Sequence, residues 1–206
     1  MILYCIRHGQ TLFNAAGRIQ GQSDTELSPL GLQQCDAVAK ALVGRGVEVV
    51  YSSPLRRALD GAQCIAQALE VELRVDPRLM EIHAGIFQGL DWAEIDKLHP
   101  EHSRQWRSQD PEFRIPGGES RRELMHRAGE VFAEIRAAHH DAAIVVSHGG
   151  LLSAALKVLL EIPAQRNPFS LMNGSITKLS WDSEAKLLAY NDTSHLAGLE
   201  GSGGDL

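Results

Sequence analysis

Two histidines stand directly behind two of the most apolar segments of the chain. Arg7-His8-Gly9 follows Ile2 to Ile6, and Ser147-His148-Gly149-Gly150 follows Ala142 to Val146. A third apolar run, Val47 to Tyr51, ends in Ser52-Ser53-Pro54-Leu55-Arg56-Arg57. Short apolar runs of this kind read as buried strands, and open α/β sheets bind ligands at the carboxyl ends of their strands. The three polar stretches are therefore expected to meet at one edge. Two imidazoles among guanidinium groups, with no Asp/Glu cluster, make a poor metal site because fixed cations repel a metal ion. They suit an oxyanion instead. A phosphoryl group in flight needs positive donors around its equatorial oxygens and a nucleophile on one side, and a neutral imidazole can be that nucleophile. Gly149-Gly150 at a helix start would add backbone N–H donors and the positive end of a helix dipole.

Positioning these groups requires strands that alternate with helices. After the first strand a polar stretch runs to Glu26, and Ser28-Pro29 supplies an N-cap and a first-turn proline for a helix to about Val43, buried through Cys35, Val38 and Leu42. Ala58, Ala62, Ile65, Ala66 and Leu69 mark a second helix, and Leu73 to Val75 a short third strand. From Leu79 to Gly118 the pattern is poor apart from a short helix at Asp91 to Leu98, as in a lid or a packed irregular insertion. Ser120, with Glu123 three residues on, caps an amphipathic helix buried through Leu124, Ala128, Val131, Phe132 and Ile135. The strand Ala142 to Val146 opens into a helix through Leu160, and Ser175 to Trp181 with Leu187 to Asn191 form a hairpin. The expected fold is α/β: a three-layer sandwich with a mostly parallel central sheet, an antiparallel edge strand, helices on both faces and an irregular cap insertion. Its expected extent is one domain over residues 1–196, with the cap at about 80–118 and a flexible Gly-rich tail over 197–206.

Composition narrows the partners. In 206 residues, 26 acidic against 20 basic side chains leave a formal charge of −6, which disfavours nucleic acid and anionic membrane surfaces. Only Lys40, Lys97, Lys157, Lys178 and Lys186 of the basic residues are lysine, and arginine is the side chain that grips phosphate bidentately. The three cysteines, Cys5, Cys35 and Cys64, form neither a disulfide framework nor a CxxC site and read as small buried hydrophobes. The first apolar run is too short for a signal or membrane segment, so a reducing, cytoplasmic setting is expected, and a homodimer is left open.

Four motifs in order carry a family resemblance. Arg7-His8-Gly9-Gln10-Thr11 with Asn14, Ser53-Pro54-Leu55-Arg56-Arg57-Ala58, Glu81 within Leu79-Met80-Glu81-Ile82-His83-Ala84-Gly85, and Ser147-His148-Gly149-Gly150 closely resemble the histidine phosphatase superfamily, the phosphoglycerate-mutase-like clan, over residues 2 to 196. The resemblance implies that His8 becomes a phosphohistidine, with Arg7, Arg57 and His148 around the phosphoryl oxygens. Arg57, directly before Ala58, matches the motif arginine. Glu81 would protonate the leaving alkoxide and then take a proton from the attacking water, so activity would fall on the alkaline side as that proton is lost. Asn14, Gln20 and Gly149 would be further pocket contacts, and His195, in a stretch similar to the C-terminus of bacterial members, would support the site. No metal or other cofactor is implied.

The superfamily holds phosphatases and cofactor-dependent mutases. Mutases of the phosphoglycerate type usually have a longer insertion and an Arg immediately after the Glu, whereas here Ile82 occupies that place and the tract from Ile82 to Glu119 carries Trp92, Trp106 and Phe113. The reading is a metal-independent phosphomonoesterase for a small phosphorylated metabolite. A phosphoglycerate mutase and a catalytically silent phospholigand-binding module are the alternatives. His83 reads as packing, and His99, His102, His126, His139 and His140 as surface residues; Arg104, Arg107, Arg114, Arg121 and Arg122 read as solvated side chains, with recognition of a substrate's far end from the irregular tract as the alternative.

Overall fold

The computed structural model describes residues 1–199. Three largely apolar strands and a mixed, mostly exposed fourth pair in parallel: β1 (Ile2–Arg7), β2 (Val49–Ser52) and β4 (Ala142–Ser147), with β3 (Glu72–Val75) at the edge. A hairpin of β5 (Ile176–Trp181) and β6 (Ala185–Asp192) adds two antiparallel strands beside β1, giving the order β3-β2-β4-β1-β5-β6. The expected sandwich is therefore present, with the expected hairpin at that edge: β5 runs against β1, and β6 pairs antiparallel with β5. The helices are α1 (Leu12–Ala15), α2 (Pro29–Leu42), α3 (Arg56–Leu69), α4 (Trp92–Leu98), α5 (Pro100–Arg107), α6 (Arg121–Ala137) and α7 (Gly149–Leu159). None among the described residues is long and apolar enough to cross a membrane.

Strand alternation divides the core into two layers. Tyr4 and Ile6 of β1 pack with Val38, Leu42, Ala58, Ala62 and Ile65 of α2 and α3. Leu3 and Cys5 face the other way, onto Leu124, Val131, Phe132 and Ile135 of α6 and Leu151 and Leu152 of α7. Successive residues of a strand point to opposite faces of the sheet, so a strand buried on both faces needs apolar residues at every position, which β1 and β4 have up to their last residues. Ser28 caps α2 by accepting the Gly31 N–H at 3.1 Å, and Ser120 and Glu123 form the expected reciprocal cap on α6.

Two expectations change. The poor-pattern tract contains a helix, α5, that periodicity does not announce because Trp106 is its one large apolar residue; Pro100 at its first turn was the available sign. Cys64 is only half-buried and donates to Asp36 at 3.3 Å, because it stands on the flank of α3 beside α2. Of the tail, residues from 200 on lie outside the described residues.

Register brings the polar stretches together. Arg7 of β1 is opposite Ser147 of β4, and Ser52 of β2 is opposite Val146, so the three strands end at one level. The His8 N–H donates to the Ser147 carbonyl at 2.9 Å, and the Ser53 N–H to the Val146 carbonyl at 3.1 Å. Gly9 and Gly31 then let the first loop cross the start of α2: a Cβ on either would collide with backbone of the other segment.

Candidate active site

His8 is buried, and its Nδ1 lies 2.7 Å from the Gly9 carbonyl oxygen. A carbonyl only accepts, so Nδ1 carries the proton and Nε2 keeps its lone pair. Burial, and then the charges of Arg57 and Arg7, hold the imidazole well below its ordinary value. The ring is neutral and nucleophilic at physiological pH.

Both guanidinium groups are anchored by backbone. Arg57 is 1 % exposed and donates from Nη1 to the Ser23 carbonyl at 2.8 Å and from Nη2 to the Gly21 carbonyl at 2.7 Å. Its Nε is buried without a hydrogen-bond partner, and burial draws its pKa down to about 10. Arg7 donates to the Leu171 carbonyl and lies against Gly149. His148 stacks obliquely near His8, with ring centroids 5.1 Å apart, and its Nε2 is 2.8 Å from Ser53 Oγ. Its Nδ1 is buried without a partner. Burial, then Arg57, lowers its pKa well below the ordinary value.

Glu81 is also buried, against the first turn of α7. Its Oε2 accepts the Gly150 N–H at 2.9 Å, and its Oε1 accepts the Leu151 N–H at 3.0 Å and the Ile82 N–H at 2.8 Å. The α7 terminus, expected to offer its N–H groups to the ligand, thus spends Gly150 on a protein carboxylate. Exposed N–H groups at a helix N-terminus bond the nearest acceptor, and the fold holds the Glu81 carboxyl oxygens there. A small cavity of about 30 Å³ is lined by Arg7, His8, Asn14, Gln20, Arg57 and Glu81 among others.

The remaining expected residues divide into two groups. Asn14 and Gln20 reach the cavity: Asn14 Oδ1 accepts from Thr11 and Asn173, and Gln20 Oε1 from Thr11 and Thr25, leaving the amide donors for the cavity. Gly149 borders the adjoining, larger chamber. His195 does not line the small cavity. Its Nε2 bonds the Gly174 carbonyl at 2.9 Å, and the Gly174 N–H in turn donates to the His8 carbonyl at 3.1 Å, so it stands one residue removed from His8.

Three contributors escaped the sequence reading. Asn173 donates to the His8 carbonyl at 3.1 Å. Arg127 donates to the Glu81 carbonyl at 3.0 Å and the Arg78 carbonyl at 2.9 Å while paired with Glu119 at 2.8 Å. Ser53 was quoted only as part of a motif. Asn173 and Arg127 lie far along the chain from His8 and Glu81, and nothing in their local pattern marks them. His83 Nδ1 accepts the Gly85 N–H at 3.2 Å, a contact within its own turn.

Parallel strands ending in a buried imidazole with a free Nε2 lone pair, two buried guanidinium groups and a second imidazole suit phosphoryl chemistry. A family model described as "Histidine phosphatase superfamily (branch 1)" matches residues 3–193, and the chain belongs to that superfamily. It is 39% identical to the glucosyl-3-phosphoglycerate phosphatase of Mycobacterium tuberculosis, over 86% of this chain and 84% of that protein. It is 36% identical to a probable phosphoglycerate mutase of Yersinia pestis, over 94% of each. A solved structure of mycobacterial glucosyl-3-phosphoglycerate phosphatase complexed with VO3 superposes with a TM-score of 0.85 at 38% identity, covering 93% of this chain and 99% of that one. The chain is a histidine-phosphatase-type enzyme.

Proposed function

We propose that this protein hydrolyses a small phosphomonoester, without a metal ion, through a phosphohistidine on His8. The observation that carries the reading is the 2.7 Å contact of Nδ1 with the Gly9 carbonyl, which leaves the Nε2 lone pair facing a cavity lined by Arg7 and Arg57. In the first step Nε2 attacks phosphorus, the N–P bond forms as the ester P–O bond breaks, and Glu81 gives its proton to the leaving alkoxide. In the second, water attacks phosphorus, the N–P bond breaks, and the Glu81 carboxylate takes the water proton. Arg7, Arg57 and His148 neutralise the equatorial oxygens, the partnerless Arg57 Nε and His148 Nδ1 being the donors in waiting. Asn14 and Gln20 hold further oxygens, and Gly149 and His195 shape the surroundings.

Residues 80–118 serve as the cap. Phe87, Trp92 and Trp106 from this tract line the chamber next to the phosphate cavity and would hold the leaving group. The three free thiols are in keeping with a reducing, cytoplasmic setting. Hydrolysis is favoured over transfer because the residue after Glu81 is Ile82, 5 % exposed and packed in the core. The mutase reading has one support, the name of the Yersinia relative.

A panel of p-nitrophenyl phosphate, phosphoserine, 3-phosphoglycerate and α-ribazole phosphate, with EDTA present, tests this. Phosphate release that survives EDTA and is lost in His8→Ala supports the reading. Conversion of 3-phosphoglycerate to its 2-isomer faster than phosphate release assigns a mutase, and binding without turnover a silent module.

A further inference from the structure

The chamber beyond the phosphate cavity has about 120 Å³ of space and aromatic walls, yet two cations are sunk in its lining. Arg121, at the first position of α6, is 8 % exposed, and Lys157, in the last turns of α7, is 4 % exposed. Arg121 was expected in solvent, as Arg104, Arg107, Arg114 and Arg122 indeed are. The difference is that its guanidinium carbon lies 3.4 Å from the centre of the Trp106 ring, which covers one face. Its Nη1 is buried and has no hydrogen-bond partner. Lys157 Nζ has three donors and one acceptor within reach, the Ala164 carbonyl at 3.2 Å. Among the described residues neither forms an ion pair.

Two like charges that line one chamber, each desolvated and neither neutralised, are costly unless something supplies the opposite charge. Each group lowers its own pKa by burial, and Arg121 lowers that of Lys157 further, so they feel one another. The exposed Asp110 is the acid that acts on Arg121, and it stands outside the 4.0 Å range of an ion pair. The other lining groups, such as Gln109, Ser153 and Asn167, are uncharged, and Arg7 at the near end adds a third positive charge. A ligand is the remaining source of negative charge.

We propose that Arg121 and Lys157 form a second anion subsite, so that the substrate is a phosphomonoester whose alcohol portion crosses the aromatic walls and ends in an anionic group, a carboxylate or a second phosphate. This rests on the phosphomonoesterase reading above and specifies its substrate class. Arg121, stacked on Trp106, presents its edge, the geometry that grips a carboxylate or phosphate oxygen.

The test uses phosphate esters of straight-chain ω-hydroxy acids, from glycolate to hydroxyhexanoate, each against its primary amide, with the ω-diol bisphosphates as a third arm. Wild-type protein is expected to prefer the carboxylate over the amide by about tenfold or more in kcat/KM at one chain length, mostly through KM. That preference is expected to collapse in Arg121→Met and in Lys157→Met, with folding checked by thermal unfolding. A matching preference for bisphosphates identifies the subsite as general for anions. Equal or better turnover of the amides at every length by wild type overturns the proposal, and needs no variant to fold. A preference kept in both variants also overturns it. Failure of every ester to release phosphate refutes the phosphomonoesterase reading itself, a separate outcome.

Discussion

Glu81 and Gly150 are fitted to each other: Oε2 of the carboxylate accepts the Gly150 N–H at 2.9 Å, and a Cβ on Gly150 would overlap Oε1. The glycine is required because the carboxylate lies flat against the first turn of α7. Gly150→Ala is therefore expected to displace the acid and resemble Glu81→Gln. Both should lower kcat/KM for alkyl phosphates by about 10²–10⁴, the range ascribed to general acid–base catalysis. Turnover of p-nitrophenyl phosphate, whose leaving group needs little protonation, should suffer much less. Equal losses on the two ester classes would show that Glu81 does not act on the leaving group.

Stability should fall with acidity. His8 and His148 both have folded-state values well below 6.5, through burial first and then Arg57. In the window below 6.5 the unfolded chain therefore binds more protons than the folded one, and unfolding becomes easier as pH drops. Each histidine contributes a slope of up to about 1.4 kcal/mol per pH unit while it stays neutral in the fold. Urea unfolding across this window should show the slope, and His8→Gln should flatten it. A stability that rises on acidification would contradict the assignment.

His195 should behave as a positioning residue. It reaches His8 only through Gly174, so His195→Ala is expected to reduce kcat a few-fold and stability by about 1 kcal/mol, with KM unchanged. His195→Gln, which can still donate to the Gly174 carbonyl, should recover most of the loss. A rise in KM without a change in kcat would instead make it a direct ligand contact.

The site was legible where its residues stand at the ends of strands. His8, Arg57 and His148 are announced by apolar runs that stop abruptly, because a parallel strand buried on both faces must be apolar until it reaches the ligand edge. The four-strand parallel core and the capped helices α2 and α6 were readable for similarly local reasons. What stayed hidden depends on contacts between distant segments: Arg127 gripping the loop that carries Glu81, Asn173 on the His8 carbonyl, and the withdrawal of Arg121 from solvent by Trp106. An arginine at a helix start looks solvated until the aromatic ring that covers it is placed. The role of Gly150 was misread for the same reason, since its N–H is taken by a carboxylate about 70 positions away in the chain.

The most direct test of the central claim is to mix the enzyme with a turned-over phosphomonoester in EDTA, quench in alkali, where a phosphoramidate survives, and map the phosphate by peptide mass spectrometry. The account predicts phosphate on the peptide that contains His8, formed within one turnover and absent from His8→Ala, which should release no phosphate. Turnover without a modified His8, or undiminished turnover by His8→Ala, would contradict it.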